Sequence, residues 1–207
     1  MPSELEQLLA LWNHRPPGAA VLATVVHVEG SAYRRPGSRM LAFENGPRVG
    51  TISGGCLERD LLSKAFFLTR EGPTTIDYDT RDGDMGDYNL GCRGLVRVLL
   101  QPLEQNPRPI ELLSRVMQND EPITTVTNHG ITGDRPDAAI GDQFVFDRTG
   151  ETQDRYPLWL NHAMGEIVNV IDDGLPRACR ITHEGGRVNV LIERIDPPQP
   201  VIVFGAG

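Results

Sequence analysis

A chain of 207 residues, 39% of them hydrophobic, has material for one sizeable core or two small ones. Its formal charge of -8, from 20 Lys and Arg against 28 Asp and Glu, argues against a general nucleic-acid binder, which needs a basic surface to displace counterions. Three widely spaced cysteines argue against a disulfide framework and fit a reducing compartment, and no apolar run approaches the length of a membrane span.

Ser3 and Glu6 have the spacing of a capping box, and Leu5, Leu8, Leu9 and Trp12 form an apolar stripe, which predicts a helix over residues 4–13. This N-terminus lacks a basic start and a small-residue cleavage site, so it does not read as a signal peptide. Pro16, Pro17 and Gly18 stop the helix. AAVLATVVHV then reads as a buried strand, and RMLAFENGPRVGTIS as a hairpin turning at Asn45-Gly46. CLERDLLSKAFFLTR reads as a helix with Leu57, Leu61, Leu62, Ala65 and Phe66 on one face. TTIDYDT and GLVRVLLQPL read as strands, and PRPIELLSRVMQND as a further helix. ITTVTN, QFVFD and EIVNVI follow as short strand-like pieces, with a pair around Glu184-Gly185-Gly186, which predicts an antiparallel sheet. DPPQP reads as a rigid linker, and VIVFGAG as a strand entering Gly-x-Gly, the front of a dinucleotide-binding fingerprint. No internal repeat is evident. The fold class is α/β: an α/β motif domain over 1–105, a mainly antiparallel β region over 106–196, and over 197–207 a linker and the first strand of a missing Rossmann domain.

Chemistry concentrates in glycine-framed turns. In VGTISGGCLERDLL, Ser53 can cap the following helix and Gly54-Gly55 let the backbone turn, which sets Cys56 in the first turn. A thiol there feels the positive end of the helix macrodipole and ionises more readily. Free cysteine is also among the most buried residue types, so packing is the competing account. Cys92 lies in a second glycine turn, YNLGCRGLV, whereas Cys179 has no glycine frame and reads as packing. No CxxC pair exists, so zinc-finger spacing is absent.

Arg34, Arg35, Arg39 and Arg48 form a basic island opposed within residues 30–50 by Glu44 alone, which points to a small anion rather than a polyanion. Arg34 and Arg35 between Gly30 and Gly37 offer guanidinium forks and a glycine turn to such an anion. One pocket lined by these arginines and by backbone amides near Gly37 or Gly54-Gly55 is the expectation. The acidic stretch 77–87 fails the calcium-loop pattern, with Arg81 and Asp82 at positions that need a ligand and a glycine.

GSAYRRPGSRM, VGTISGGCLERDL and LGCRGLVRVLLQPL, in that order, resemble the motifs of the XdhC/CoxI family, accessory factors of xanthine dehydrogenase and related molybdenum hydroxylases. The resemblance covers most of 15–103 and the last ten or so residues; 104–195 follow the family in layout only. It implies a cytoplasmic factor that binds molybdenum cofactor (molybdopterin), supports its sulfuration by a cysteine desulfurase and delivers it to a xanthine dehydrogenase-type hydroxylase. It implies a homodimer, and a cofactor-binding chaperone rather than a catalyst, with no nucleic acid and no membrane. NAD(P) enters only with a C-terminal Rossmann domain. Gly30, Ser31, Arg34, Arg35, Gly37, Ser53, Gly54, Gly55, Cys56, Glu58, Gly91 and Cys92 stand at motif positions and are the cofactor-binding candidates, Cys56 being the one that would meet the molybdenum centre. Tyr33 replaces a common family proline, and Arg93-Gly94 stand where the family often has two glycines. Two other readings are open: the substrate half of an NAD(P)-dependent oxidoreductase, or a non-enzymatic scaffold for the maturation complex.

Overall fold

Ser3 opens the first helix as its spacing to Glu6 predicts. Its hydroxyl accepts the Glu6 N–H while the Glu6 carboxylate accepts the Ser3 N–H. This helix is α1 (Glu4–Asn13). The computed structural model describes residues 2–44, 46–55, 57–79 and 94–198. After α1 come β1 (Ala20–Gly30), β2 (Arg39–Phe43), β3 (Arg48–Gly50), α2 (Glu58–Leu68), β4 (Thr74–Asp79) and β5 (Gly94–Pro102). The chain continues through α3 (Arg108–Asn119), β6 (Ile123–Gly133), β7 (Gln143–Phe146), a 3-10 helix (Leu158–Ala163), α4 (Met164–Asp173), β8 (Arg177–His183) and β9 (Gly186–Ile195). Asn45, Cys56, Gly91, Cys92, most of the acidic stretch and VIVFGAG lie outside the described residues.

One expected strand is a helix. EIVNVI falls in α4, whose Ile167, Val170 and Ile171 recur at helical spacing and pack as one face. Gly174, at φ +69°, ends the helix in the left-handed conformation. Residues 106–196 therefore hold α3, the 3-10 helix and α4 beside their antiparallel strands.

The strands form two sheets, ordered β3-β2-β1-β5-β4 and β7-β6-β9-β8, with every pairing antiparallel. Although no repeat is evident in the sequence, the two sheets belong to two copies of one helix–strand–strand–helix–strand–strand unit, and the register carries over. Thr24 pairs Arg39 as Thr127 pairs Gln143. Leu22 pairs Gln101 as Thr125 pairs Glu193, and Gly30 pairs Gly94 as Gly133 pairs Gly186. β1 is irregular between Val25 and His27, and β6 at the same place, between Asn128 and Gly130. The turn before β2 uses Gly37 at φ +93°, whose N–H donates to the Val25 carbonyl; the turn before β7 uses Gly141 at φ +90°, donating to the Asn128 carbonyl. β3 and the loop leading from it to α2 occur only in the first copy.

Burial follows the strand alternation. Val21, Ala23, Val25 and Met40 face α2, with Leu57, Leu61 and Ala65 closing that layer. Val126, Val188, Val190 and Ile192 face α4 and Trp159 on the outer side of the second sheet. The opposite faces meet each other. There Leu22 and Leu41 share one core with Leu8 and Leu9 of α1, Ile110, Leu113 and Val116 of α3, and Ile195 of β9. At this meeting Arg39 forms a buried ion pair with Glu193 of the other copy, and its second amino group donates to the Gly37 carbonyl at 2.7 Å. The equivalent positions in the reversed sense are Gln143 and Gln101, and the Gln101 amide donates to the Gly141 carbonyl at 3.4 Å. If the copies are equivalent, the ion pair can be transplanted. Gln101→Glu and Gln143→Arg should each destabilise the protein alone, and together recover at least about 1 kcal/mol of that loss in a denaturant double-mutant cycle.

The copies differ at the strand irregularity, where Val26 of the first corresponds to His129 of the second. His129 is buried and its ring lies 6.5 Å from that of His27. Burial, with the charges of Arg97 and His27 adding to it, pushes the His129 imidazole from 6.5 down to about 4. The unfolded chain therefore binds an extra proton between those values, and folding stability falls as pH drops from 6.5 towards 4. His129→Val, copying the first unit, should flatten this part of the pH–stability profile, read as the change in urea midpoint between pH 7 and pH 4.5.

Candidate functional site

The stretch Thr51–Leu57 links β3 to α2 and is organised by one carboxylate. Glu58, in the first turn of α2, is only 5% exposed, and its side chain turns back into the loop. Its Oε1 accepts the Thr51 hydroxyl and the Ile52 and Ser53 N–H groups, the last two at 3.0 and 2.9 Å. Its Oε2 accepts the Ser53 hydroxyl at 2.6 Å and the Gly55 N–H at 2.9 Å. Two further donors are also taken: Gly54 N–H goes to Thr51 Oγ1 and Leu57 N–H to Ser53 Oγ. Ser53 is not the cap expected from the sequence, since the N-cap of α2 is Leu57 without a side-chain cap bond; Ser53 instead accepts the Leu57 N–H, and Glu58 does most of the satisfying. Burial opposes ionisation of Glu58, but the bonds from Ser53, Thr51 and the backbone outweigh it and hold the carboxyl down at about 2.

The backbone needs glycine here. Gly54 and Gly55 lie at φ +87° and +117°, and a Cβ at either would meet nothing within 4 Å among the described residues. Cys56, the next residue, lies outside the described residues, as do Gly91 and Cys92.

Two motif stretches meet at one end of the first sheet. Gly30 closes β1 opposite Gly94, where a Cβ would lie 2.4 Å from the Glu29 carbonyl and 2.8 Å from that of Ser31. This close approach pins the start of β5 beside Gly30 and Ser31. Val96, two residues further on, pairs with both Val28 and Tyr78, and the Tyr78 hydroxyl donates to Asp60 in the first turn of α2 at 3.0 Å. The N-terminus of α2 with its glycine turn therefore overlies the sheet end where Gly30, Ser31 and Gly94 gather.

The arginines go elsewhere. Arg34 reaches Glu4 of α1 at 3.8 Å, and α1 packs on the sheet face opposite α2. Arg35 is exposed, its carbonyl accepting Ser38 N–H in the turn. Gly37 gives its N–H to Val25 and faces Glu193. A cavity of about 330 Å³ does involve Gly37, Ser38 and Arg39, together with Glu193, Arg194 and Asp196. Its cations are already paired, Arg39 with Glu193 and Arg194 with Asp196. The expected pocket of Arg34, Arg35 and free amides near Gly37 or Gly54-Gly55 is thus not formed among the described residues, because those N–H groups satisfy the protein's own acceptors. Thr51, which sequence reasoning passed over, is integral to the loop; its signal was a hydroxyl seven residues before a first-turn glutamate.

The loop lends itself to a pH measurement. A carboxyl lowered from 4.5 to about 2 contributes stability that is full above pH 4.5 and is lost as pH falls towards 2. Glu58→Gln should cost about 2–3 kcal/mol at neutral pH and erase that acid limb, as followed by chemical denaturation.

Comparison with known proteins gives this geometry a context. Residues 14–79 match the sequence model of the XdhC and CoxI family. The chain is 30% identical over 203 residues to a Bacillus subtilis protein described as a probable xanthine dehydrogenase subunit, an alignment covering 91% of this chain and 53% of that protein. It is 31% identical over 102 residues to the molybdenum cofactor insertion chaperone PaoD of Escherichia coli, covering 48% of this chain and 31% of the chaperone. The chain thus spans about half the length, or less, of these relatives. A crystal structure of a xanthine dehydrogenase from Bacillus halodurans superposes with a TM-score of 0.55 at 32% identity, covering 75% of this chain and 47% of that one. The stretch that matches the XdhC and CoxI family thus runs through β1 to β4 and holds the glycine turn at the head of α2.

Proposed function

We propose that this chain acts in maturation of the molybdenum cofactor: it holds the cofactor, supports its sulfuration by a cysteine desulfurase, and passes it to a xanthine dehydrogenase-type hydroxylase. The family match and the chaperone relative support the general role. The observation that carries the site is the glycine turn. Two left-handed glycines, where an added Cβ would meet nothing within 4 Å among the described residues, are locked in shape by a buried carboxylate immediately before Cys56. A bulky cargo can approach such a turn without displacing side chains.

The cofactor, an anionic pterin phosphate carrying a dithiolene-bound metal, is the cargo rather than a resident group. Cys56 offers a soft sulfur ligand to its metal centre, favoured as thiolate by the helix N-terminus. Gly54 and Gly55 supply room, while Gly30 and Ser31 border the same end of the sheet. Glu58 acts as a positioning residue, since its acceptor bonds all go to the loop. Phosphate recognition through loop amides has no place in this scheme, because those of residues 52–55 already have acceptors.

The test is retention of purified molybdopterin by the protein. Cys56→Ser should lose cofactor affinity by about tenfold or more while keeping its melting temperature. Alkylation of the native protein should label Cys56 ahead of Cys179, whose half-buried thiol is pushed up by burial and by Glu166, and cofactor should protect Cys56. Unchanged retention in Cys56→Ala and Cys92→Ala would instead favour a scaffold that recruits the desulfurase and the target enzyme without touching the cofactor through these thiols.

A further inference from the structure

Of the four arginines in the basic island, Arg34 and Arg39 pair with Glu4 and Glu193. Arg48 does not: on the edge strand β3 it has no carboxylate partner among the described residues. It faces a cleft of about 390 Å³ between the β2–β3 hairpin and α2. Across the cleft stands Arg70, just beyond the end of α2, likewise without a carboxylate partner among the described residues. Its guanidinium lies 4.9 Å from the centre of the Phe67 ring. Phe66 and Phe67 give the cleft an aromatic wall, with Leu62, Phe43 and Ala42 adding to its apolar lining, and among the described residues Glu44 is its one acidic residue.

Two features set this cleft apart from ordinary surface. Phe67 is 66% exposed, an unusual position for a large aromatic unless something covers it. Both guanidinium groups border the same apolar wall, so an anion held between them would keep its organic part against the phenyl rings. The cavity at Gly37 lacks this combination, since its arginines are neutralised.

We infer that the Arg48–Arg70 cleft binds a planar organic anion, an aromatic phosphate or carboxylate, with the two guanidinium groups on the anionic end and Phe66 and Phe67 against the ring. The inference does not depend on the cofactor reading: it rests on Arg48, Arg70, Phe66 and Phe67, none of which that reading uses, in a cleft between the two arms, β3 and α2, that the glycine loop joins. It explains why a basic island occurs in an acidic chain when Arg39 is committed to an internal pair and Arg34 to a surface one.

Naphthyl phosphate is a suitable probe, with inorganic phosphate and naphthol as its separated halves, each titrated into the full chain and followed by protein amide shifts. Naphthyl phosphate should bind and shift resonances of α2 and the β2–β3 hairpin, and each half alone should bind at least about tenfold more weakly. Arg48→Gln and Arg70→Gln should each weaken the probe about fivefold, and Phe67→Ser by a similar factor, whereas Arg115→Gln on α3 should leave it unchanged. These exposed positions should not disturb folding, which the melting temperature checks. Absence of binding at about 5 mM probe, equal binding by the Arg48→Gln/Arg70→Gln double variant, or equal binding of inorganic phosphate would each overturn the assignment. Because Cys56 is untouched, failure here leaves molybdopterin retention to be judged by its own measurement.

Discussion

The Arg39–Glu193 ion pair is the contact on which the arrangement of the two copies turns. Both side chains are largely withdrawn from water, so each charge is tolerated only because the other is in place. Gly37 makes the meeting feasible twice over. Its left-handed backbone turns the chain into β2, and its missing side chain leaves room for the glutamate, whose Oε2 would otherwise lie 2.7 Å from a Cβ. Removing either partner strands a buried charge, a loss of about 3–5 kcal/mol in comparable settings. The pair also specifies register. A slip of either sheet by one residue would turn Arg39 or Glu193 out of the joint and leave its partner's charge unpaired.

Equivalence at the joint makes the differences between the copies informative. Both contain the two inner strands, the bulge and the glycine turn, which are the features needed to build and pack the sheets. Only the first has β3, the Thr51–Leu57 loop and the buried Glu58. In the second, a 3-10 helix bearing buried Trp159 and Leu160 fills the approach to α4 with apolar side chains. One copy presents a glycine turn at the head of its outer helix and the other plugs that region with core. This division fits a duplicated frame in which one unit supports and the other handles ligand.

How far the sequence revealed this depended on the range of each interaction. The capping box of α1, the hairpin around Asn45-Gly46 and the first four strands were legible because neighbouring residues determine them. α4 was misread because its β-branched residues favour a strand locally, while packing on the second sheet selects the helical face. The duplication was hidden because the copies share mainly glycines at equivalent turns, Gly30 with Gly133 and Gly37 with Gly141, among otherwise different side chains. The glycine turn was recognised from Ser53-Gly54-Gly55, but Glu58 was taken as a ligand-facing group. Its role as the loop's internal acceptor is set by the direction of one side chain, which a motif does not encode.

The disposition of charge in the motif half follows from the same point. An arginine in sequence is a potential anion receptor; an arginine in a structure is one only if its charge is uncommitted. Pairing with Glu4 and Glu193 turns Arg34 and Arg39 to holding the chain together. The loop amides are likewise committed to Glu58, so the helix N-terminus contributes its field but no free N–H from residues 52–55. A carboxylate serving that loop from inside keeps the turn rigid without spending its outer surface. Such a surface suits a ligand that meets the protein through a soft metal–sulfur centre better than one that meets it through a phosphate. Arg48 and Arg70, on the two arms the loop joins, have no carboxylate partner among the described residues and remain available to an anion.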